Sequence, residues 1–150
     1  MRTLAAALAS LLVTSAAFGE DAPAPPPPAK ATLKVEITNL RSEAGVVRAA
    51  VYRTEADYKN KNPSASGEAA IQGAKATVVL EGLEPGAVVV RVFHDEDKDG
   101  KIKTNWIGMP KEGVGMSRDA KGFMGPPKFD DAKLDLPAGP SSTSIKLHYL

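Results

Sequence analysis

The chain has no cysteine, which excludes disulfides, a thiolate nucleophile, cysteine-ligated zinc and a lipid-modified N-terminal cysteine. Aromatic residues make up only 5% of it, with one tryptophan, so Trp106 and Phe129 are expected to fill the core beneath the long loop that carries Trp106. Net charge is almost absent: 19 Lys and Arg stand against 18 Asp and Glu, a formal +1, so the chain as a whole sets up no field that draws in nucleic acid or an anionic membrane. No apolar run reaches the roughly 20 residues that cross a bilayer as a helix. Beyond the N-terminal segment there is no long amphipathic helix and no repeat at a fixed period. The 150 residues supply one domain with one core.

What is present begins with an address. Met1 and Arg2 form a short basic start, Leu4 to Val13 an apolar run, and Ser15 to Gly19 a small-residue stretch suited to peptidase cleavage. Residues 1–19 are therefore expected to be a signal peptide cut near Ala17 to Gly19, which places the mature chain in the periplasm or outside the cell. Residues 20–30, rich in proline and alanine, follow as an extended tether, because proline fixes φ and supplies no N–H to a ladder. Residues 31–150 remain for a folded domain.

From Ala31 the hydrophobic period is two. Leu33, Val35 and Ile37 alternate with Lys34, Glu36 and Thr38, as in a strand with one buried face. Val46 to Tyr52, Ala76 to Leu80, Ala87 to Phe93 and Ser144 to Tyr149 read the same way, separated by turn residues at Asn39 to Gly45, Asn62 to Gly67 and Glu84 to Gly86. Thr54 to Asn60 suits a single helical turn with acids near its start. The spacing predicts an all-β fold: one antiparallel Greek-key sandwich of about 7–8 strands with one long glycine-rich loop.

The chemistry-bearing stretch follows the most apolar strand. In His94-Asp95-Glu96-Asp97-Lys98-Asp99-Gly100-Lys101, three aspartates occupy positions 1, 3 and 5 of a calcium loop, glycine position 6, and Lys101 position 7, where the backbone carbonyl is used. Position 12 is Trp106 and the loop is entered from a strand, so an EF-hand is excluded. A distant carboxylate would have to complete the shell, with Glu112, Asp130 and Asp131 available. Lys98, Lys101 and Lys103 lower the expected affinity toward the millimolar range of extracellular modules, about 10⁻⁴ to 10⁻³ M. The alternative is a self-bonded Asx turn with solvated carboxylates.

Downstream lie Thr104-Asn105-Trp106-Ile107-Gly108-Met109-Pro110-Lys111-Glu112-Gly113 and Gly125-Pro126-Pro127-Lys128-Phe129-Asp130-Asp131-Ala132. Taken in order with the His94 to Gly100 block, these runs resemble the DUF2141 family of exported bacterial proteins, over roughly Leu33 to Leu150. The resemblance implies a compact β-sandwich of prealbumin-like or immunoglobulin-like type and carries no established biochemical activity. It marks His94, Asp95, Gly100, Asn105, Gly108, Pro110, Glu112, Gly113, Pro127, Phe129 and Ala132 as pattern positions. It also implies asparagine in place of Asp97 and Asp99 in family members, as in a structural Asx-rich turn.

Three functions follow as expectations. The first is an exported envelope module, binding or structural and not an enzyme, that needs no cofactor, with a calcium loop at Asp95, Asp97, Asp99, the Lys101 carbonyl and Glu112. His94, Asn105 and Trp106 would form its ligand surface, toward an envelope protein or glycan. The second is a secreted hydrolase using His94 and Glu112 as an acid/base pair, which needs both at one concave site. Against it, no serine elbow occurs and His148 has no partner at zinc-ligand spacing. The third is a carbohydrate-binding module, which needs an exposed Trp106. A monomer with no nucleic-acid partner and no membrane span is expected throughout.

Overall fold

The computed structural model describes residues 24–150; the expected signal peptide lies outside the described residues. Residues 24–30 are exposed and without regular structure, and the first strand starts directly after them. Two sheets face each other. The first holds β4 (Ala76–Leu83), β1 (Ala31–Thr38) and β8 (Gly139–Lys146) in that order. The second runs β3 (Ala65–Ala69), β2 (Val46–Tyr52), β5 (Gly86–Asp95) and β6 (Val114–Met116), with β7 (Leu134–Leu136) pairing the start of β5. This is the all-β sandwich that the alternation predicts.

One pairing departs from an antiparallel design: β1 and β8 run parallel, with Leu33 opposite Ser141, Val35 opposite Thr143 and Ile37 opposite Ile145. The first half of β8 carries serine and threonine where an apolar residue would have announced a strand, so the period-two signal starts only near Ile145. Pro140 is tolerated because β8 borders its sheet, where a missing ladder donor is harmless. Likewise β3, made of alanine, serine, glycine and glutamate, reads as a turn in sequence, yet it pairs with β2 from Val47–Ala69 to Val51–Ala65.

The inner faces pack Leu33, Val35, Ile37, Val47, Val51, Val78, Val88, Val90, Val92 and Ile145 into one core. At roughly 1.5–3 kcal/mol for each large apolar side chain fully buried, this layer dominates the stability. Past β8 the chain crosses to the other sheet, where Val114 and His148 exchange backbone hydrogen bonds of 2.9 Å in both directions and close that edge of the sandwich.

A smaller cluster covers part of the outer face of the second sheet. α1 (Glu55–Asn60) starts at Thr54, whose hydroxyl accepts from the Asp57 amide at 3.1 Å, and α2 (Phe129–Ala132) lies beside it. Tyr52, Tyr58, Val89, Met116, Phe129 and Ala132 pack together there, with Tyr58 edge-on to Tyr52 and tilted against Phe129. Phe129 thus fills a core, as expected. No described helix is long and apolar enough to cross a membrane.

Gly45, before β2, has φ +74°, and a Cβ there would lie 1.9 Å from the Asp95 carbonyl oxygen. Gly45→Ala is expected to lose about 3 kcal/mol or more in urea unfolding, from positive φ combined with backbone overlap. Gly73→Ala, at φ +58° with open space around it, is expected to lose only about 1–2 kcal/mol.

Candidate functional site

The end of β5 is where polar chemistry enters the core. Val88, Val90 and Val92 point inward, and His94 takes the next inward position with no exposure. Its Nε2 lies 2.6 Å from the Ala44 carbonyl, which can only accept, so that nitrogen carries the proton. Nδ1 then accepts from the Tyr149 hydroxyl at 2.8 Å, while the Tyr149 oxygen accepts from the Arg41 amide at 3.2 Å. The Arg41 guanidinium lies 4.7 Å over the Tyr149 ring and forks onto Glu96 at 2.7 and 2.6 Å. Burial pushes the Tyr149 hydroxyl up, whereas the Arg41 guanidinium holds the Glu96 carboxyl below its usual range. Gly113 is required on the far side, since a Cβ would sit 2.5 Å from the Tyr149 ring. Both ring nitrogens of His94 are therefore committed within the fold.

Asp95 faces the other side of the sheet and is equally buried. Its Oδ1 accepts from the Asp99 amide at 3.1 Å; its Oδ2 accepts from the Gly100 amide at 2.9 Å and from Arg48 Nε at 2.6 Å. Arg48 reaches it diagonally from β2, where it stands opposite Phe93, and also pairs with Glu68 at 2.7 Å. Burial pushes the Asp95 carboxyl up, but the Arg48 guanidinium and the two amides outweigh burial and hold it below the usual carboxylate range.

The remaining aspartates are exposed. Asp97 pairs with Lys103, and Asp99 Oδ1 accepts from the Lys101 amide at 2.8 Å. One carboxylate oxygen from each of Asp95, Asp97 and Asp99 lies within 4.8 Å of the others. The three thus converge, with much of their acceptor capacity already in use by the chain's own donors.

Glu112 does not join that group. It is buried, and its Oε1 accepts from the Glu96 amide at 3.2 Å while its Oε2 accepts from the Lys103 amide at 3.0 Å. It thereby pins the outgoing and returning limbs of the loop to each other. Asp130 and Asp131 lie on α2, which packs near Val89, six residues or about 20 Å of strand from Asp95. Asp130 pairs instead with Lys133 at 2.7 Å.

Between the limbs stands a hairpin. Thr104 pairs with Pro110, the Asn105 amide donates to the Met109 carbonyl at 2.8 Å, and the Gly108 amide donates to the Asn105 carbonyl at 3.0 Å. The Asn105 side-chain oxygen accepts from the Ile107 and Met109 amides at 3.0 and 2.9 Å. Through that oxygen Asn105 builds the turn. Trp106 at its tip is 95% exposed and Ile107 59% exposed. This corrects the expectation that Trp106 fills the core: the hairpin's bonds are satisfied within itself, leaving the indole no wall to pack on.

Of the expected ligand surface, Trp106 is exposed, Asn105 half-buried and His94 buried. Sequence reasoning did not single out Ile107 beside it, nor Arg48 and Tyr149, which hold Asp95 and His94 from distant positions. An open depression of about 330 Å³ lies beside the acidic turn and includes Arg48, Glu68, Phe93 and Gly100 in its lining. His94, Glu112 and Trp106 are outside it.

A family model described as an uncharacterized protein conserved in bacteria, DUF2141, matches residues 35–145. No curated protein and no solved structure matches the chain.

Because Asp95 has a depressed folded-state pKa, its contribution to stability is complete above its unfolded value of about 3.9 and is lost as pH falls through the folded one. Denaturant melts of wild type and Asp95→Asn are expected to differ by about 1.5–3 kcal/mol between pH 5 and 8, the range for a charged hydrogen-bonded group. The difference should shrink below about pH 4.

Proposed function

The chain belongs to the uncharacterised bacterial DUF2141 family, and from that premise we propose that it is an exported, non-catalytic binding module of the cell envelope whose contact surface is the Trp106 hairpin. The supporting observation is an almost fully exposed indole on a turn whose backbone is bonded from within. An exposed tryptophan on a pinned turn is poised for binding, since the ordering entropy is already spent in folding. Glu112 and Asp95 do the same for the longer loop around it, by anchoring both of its limbs to the end of β5. In this reading His94 and Glu112 serve as supports, because their polar atoms are occupied and buried. The N-terminal signal pattern supports export, and after cleavage the proline-rich segment would form an extended arm ahead of the module.

Calcium at the acidic turn is a second reading, favoured by the convergence of Asp95, Asp97 and Asp99. The ion would share Asp95 with Arg48 and displace Lys103 from Asp97, so millimolar concentrations are expected to be needed. A rise in Tm above about 2 °C at millimolar calcium, lost in Asp97→Ala, would support it; a rise under about 1 °C in both leaves the turn to Arg48 and the amides.

The main reading is tested by sedimenting the exported chain with a washed envelope preparation. Trp106→Ala is expected to bind at least about tenfold more weakly, as an aromatic anchor contributes about 2 kcal/mol or more. Its Tm should stay within about 2 °C of wild type, since an exposed side chain away from special backbone positions changes stability little. Equal binding by the variant would overturn the hairpin as the contact surface.

A further inference from the structure

Building on that reading, we propose that the partner of the Trp106 hairpin is an anionic lipid surface, with Trp106 and Ile107 entering the headgroup region and the lysines at the hairpin's foot meeting lipid phosphates. The apolar residues are adjacent and at the tip, exposed by 95% and 59%. A sugar-stacking platform would need acceptors as well as donors beside the indole, and the side-chain oxygen of neighbouring Asn105 is committed to the Ile107 and Met109 amides. A membrane interface makes no such demand. Tryptophan partitions there because its ring is apolar while its N–H stays in reach of water and headgroups.

The charges stand in the matching place. The Lys111 amide donates to the Lys103 carbonyl at 2.8 Å, so these two residues mark the foot of the hairpin. The tip is about three residues further on, roughly 10 Å of extended chain, close to the about 5–10 Å by which apolar groups enter the interface. Lysines at the foot would then lie at phosphate depth. Lys103 is paired with Asp97, whereas Lys98, Lys101 and Lys111 are exposed and have no ion-pair partner among the described residues. From Asp95 to Glu112 four lysines stand against five acids, but Asp95, Glu96 and Asp97 are paired with Arg48, Arg41 and Lys103, and Glu112 is buried, so the exposed side chains without an ion pair here are Lys98, Lys101 and Lys111 against Asp99. Each lysine near an anionic bilayer adds about fivefold in affinity, enough to matter beside a two-residue apolar anchor. A second exposed apolar pair, Phe123 and Met124, precedes α2, which packs near Val89 toward the start of β5, whereas the loop that carries the hairpin leaves from the strand's end.

Trp106 is the chain's one tryptophan, so its fluorescence reports on the tip alone. Chain purified from the exported fraction is mixed with vesicles of phosphatidylglycerol and phosphatidylethanolamine, or of phosphatidylcholine only. The expected result is a blue shift with the anionic vesicles, quenching by chain-brominated lipid, and binding about fivefold weaker in Lys111→Ala and lost at high salt. Phe123→Ser should leave the shift unchanged. Equal response to both vesicle types, or none to either, overturns the lipid assignment; so does binding that Phe123→Ser removes. If the vesicles fail while Trp106-dependent sedimentation persists with lipid-extracted envelope, the hairpin remains the contact surface and its partner is a glycan or protein. Failure of both overturns the hairpin as well.

Discussion

The structure depends on satisfying polar groups where β5 leaves the sandwich. His94 and Asp95 are consecutive, so their side chains fall on opposite faces of the sheet, and both are fully buried. An unpaired buried imidazole or carboxylate would lose several kcal/mol, more than most single contacts supply. Each face therefore needs its own set of partners. On the inner face these are the Ala44 carbonyl and Tyr149, brought from the turn between β1 and β2 and from the C-terminal tail; on the outer face, Arg48 and the amides of Asp99 and Gly100.

Those partners tie together parts of the chain that are distant in sequence. Tyr149 reaches His94 only because the segment after β8 crosses the sandwich edge at the Val114–His148 bridge. Gly113 must leave room for the Tyr149 ring, and its own carbonyl accepts from the His94 amide at 2.8 Å. Glu112, next to it, anchors both limbs of the loop through backbone amides. One region of buried polarity thus serves as strand terminus, edge closure and loop anchor. The loop gains order from these bonds, whereas a chain of that length without them would hold many conformations.

That order changes what the loop can do. A tryptophan exposed on a floppy segment would lose ordering entropy on every binding event, whereas the Asn105 turn has already paid it. The acidic turn beneath is drawn into the same support, with Asp95 spending its acceptors on Arg48 and backbone amides. The outer-face cluster of Tyr52, Tyr58, Met116 and Phe129 stiffens the other end of β5, so the strand is supported at both ends.

The strands with apolar alternation, the Thr54 helix start and the resemblance to DUF2141 were legible in the sequence because each rests on local pattern: period two, a capping hydroxyl, or an ordered set of short motifs. The spacing of Asp95, Asp97, Asp99 and Gly100 likewise announced a tight acidic turn. β3 and the first half of β8 were not legible, since alanine, glycine and serine carry no periodic hydrophobic signal and their pairing is set by neighbours. Nor were the roles of Glu112 and Trp106. A glutamate near an acidic loop reads as a ligand until the two amides that occupy it are known, and a lone tryptophan reads as core until its turn is seen to close on itself. Sequence determined where the strands and turns lie, because side-chain period and backbone preference act over a few residues. Which polar groups are spent inside and which aromatic faces outward was decided by tertiary contacts between residues far apart in the chain, 108 positions in the case of Arg41 and Tyr149, which no local pattern encodes.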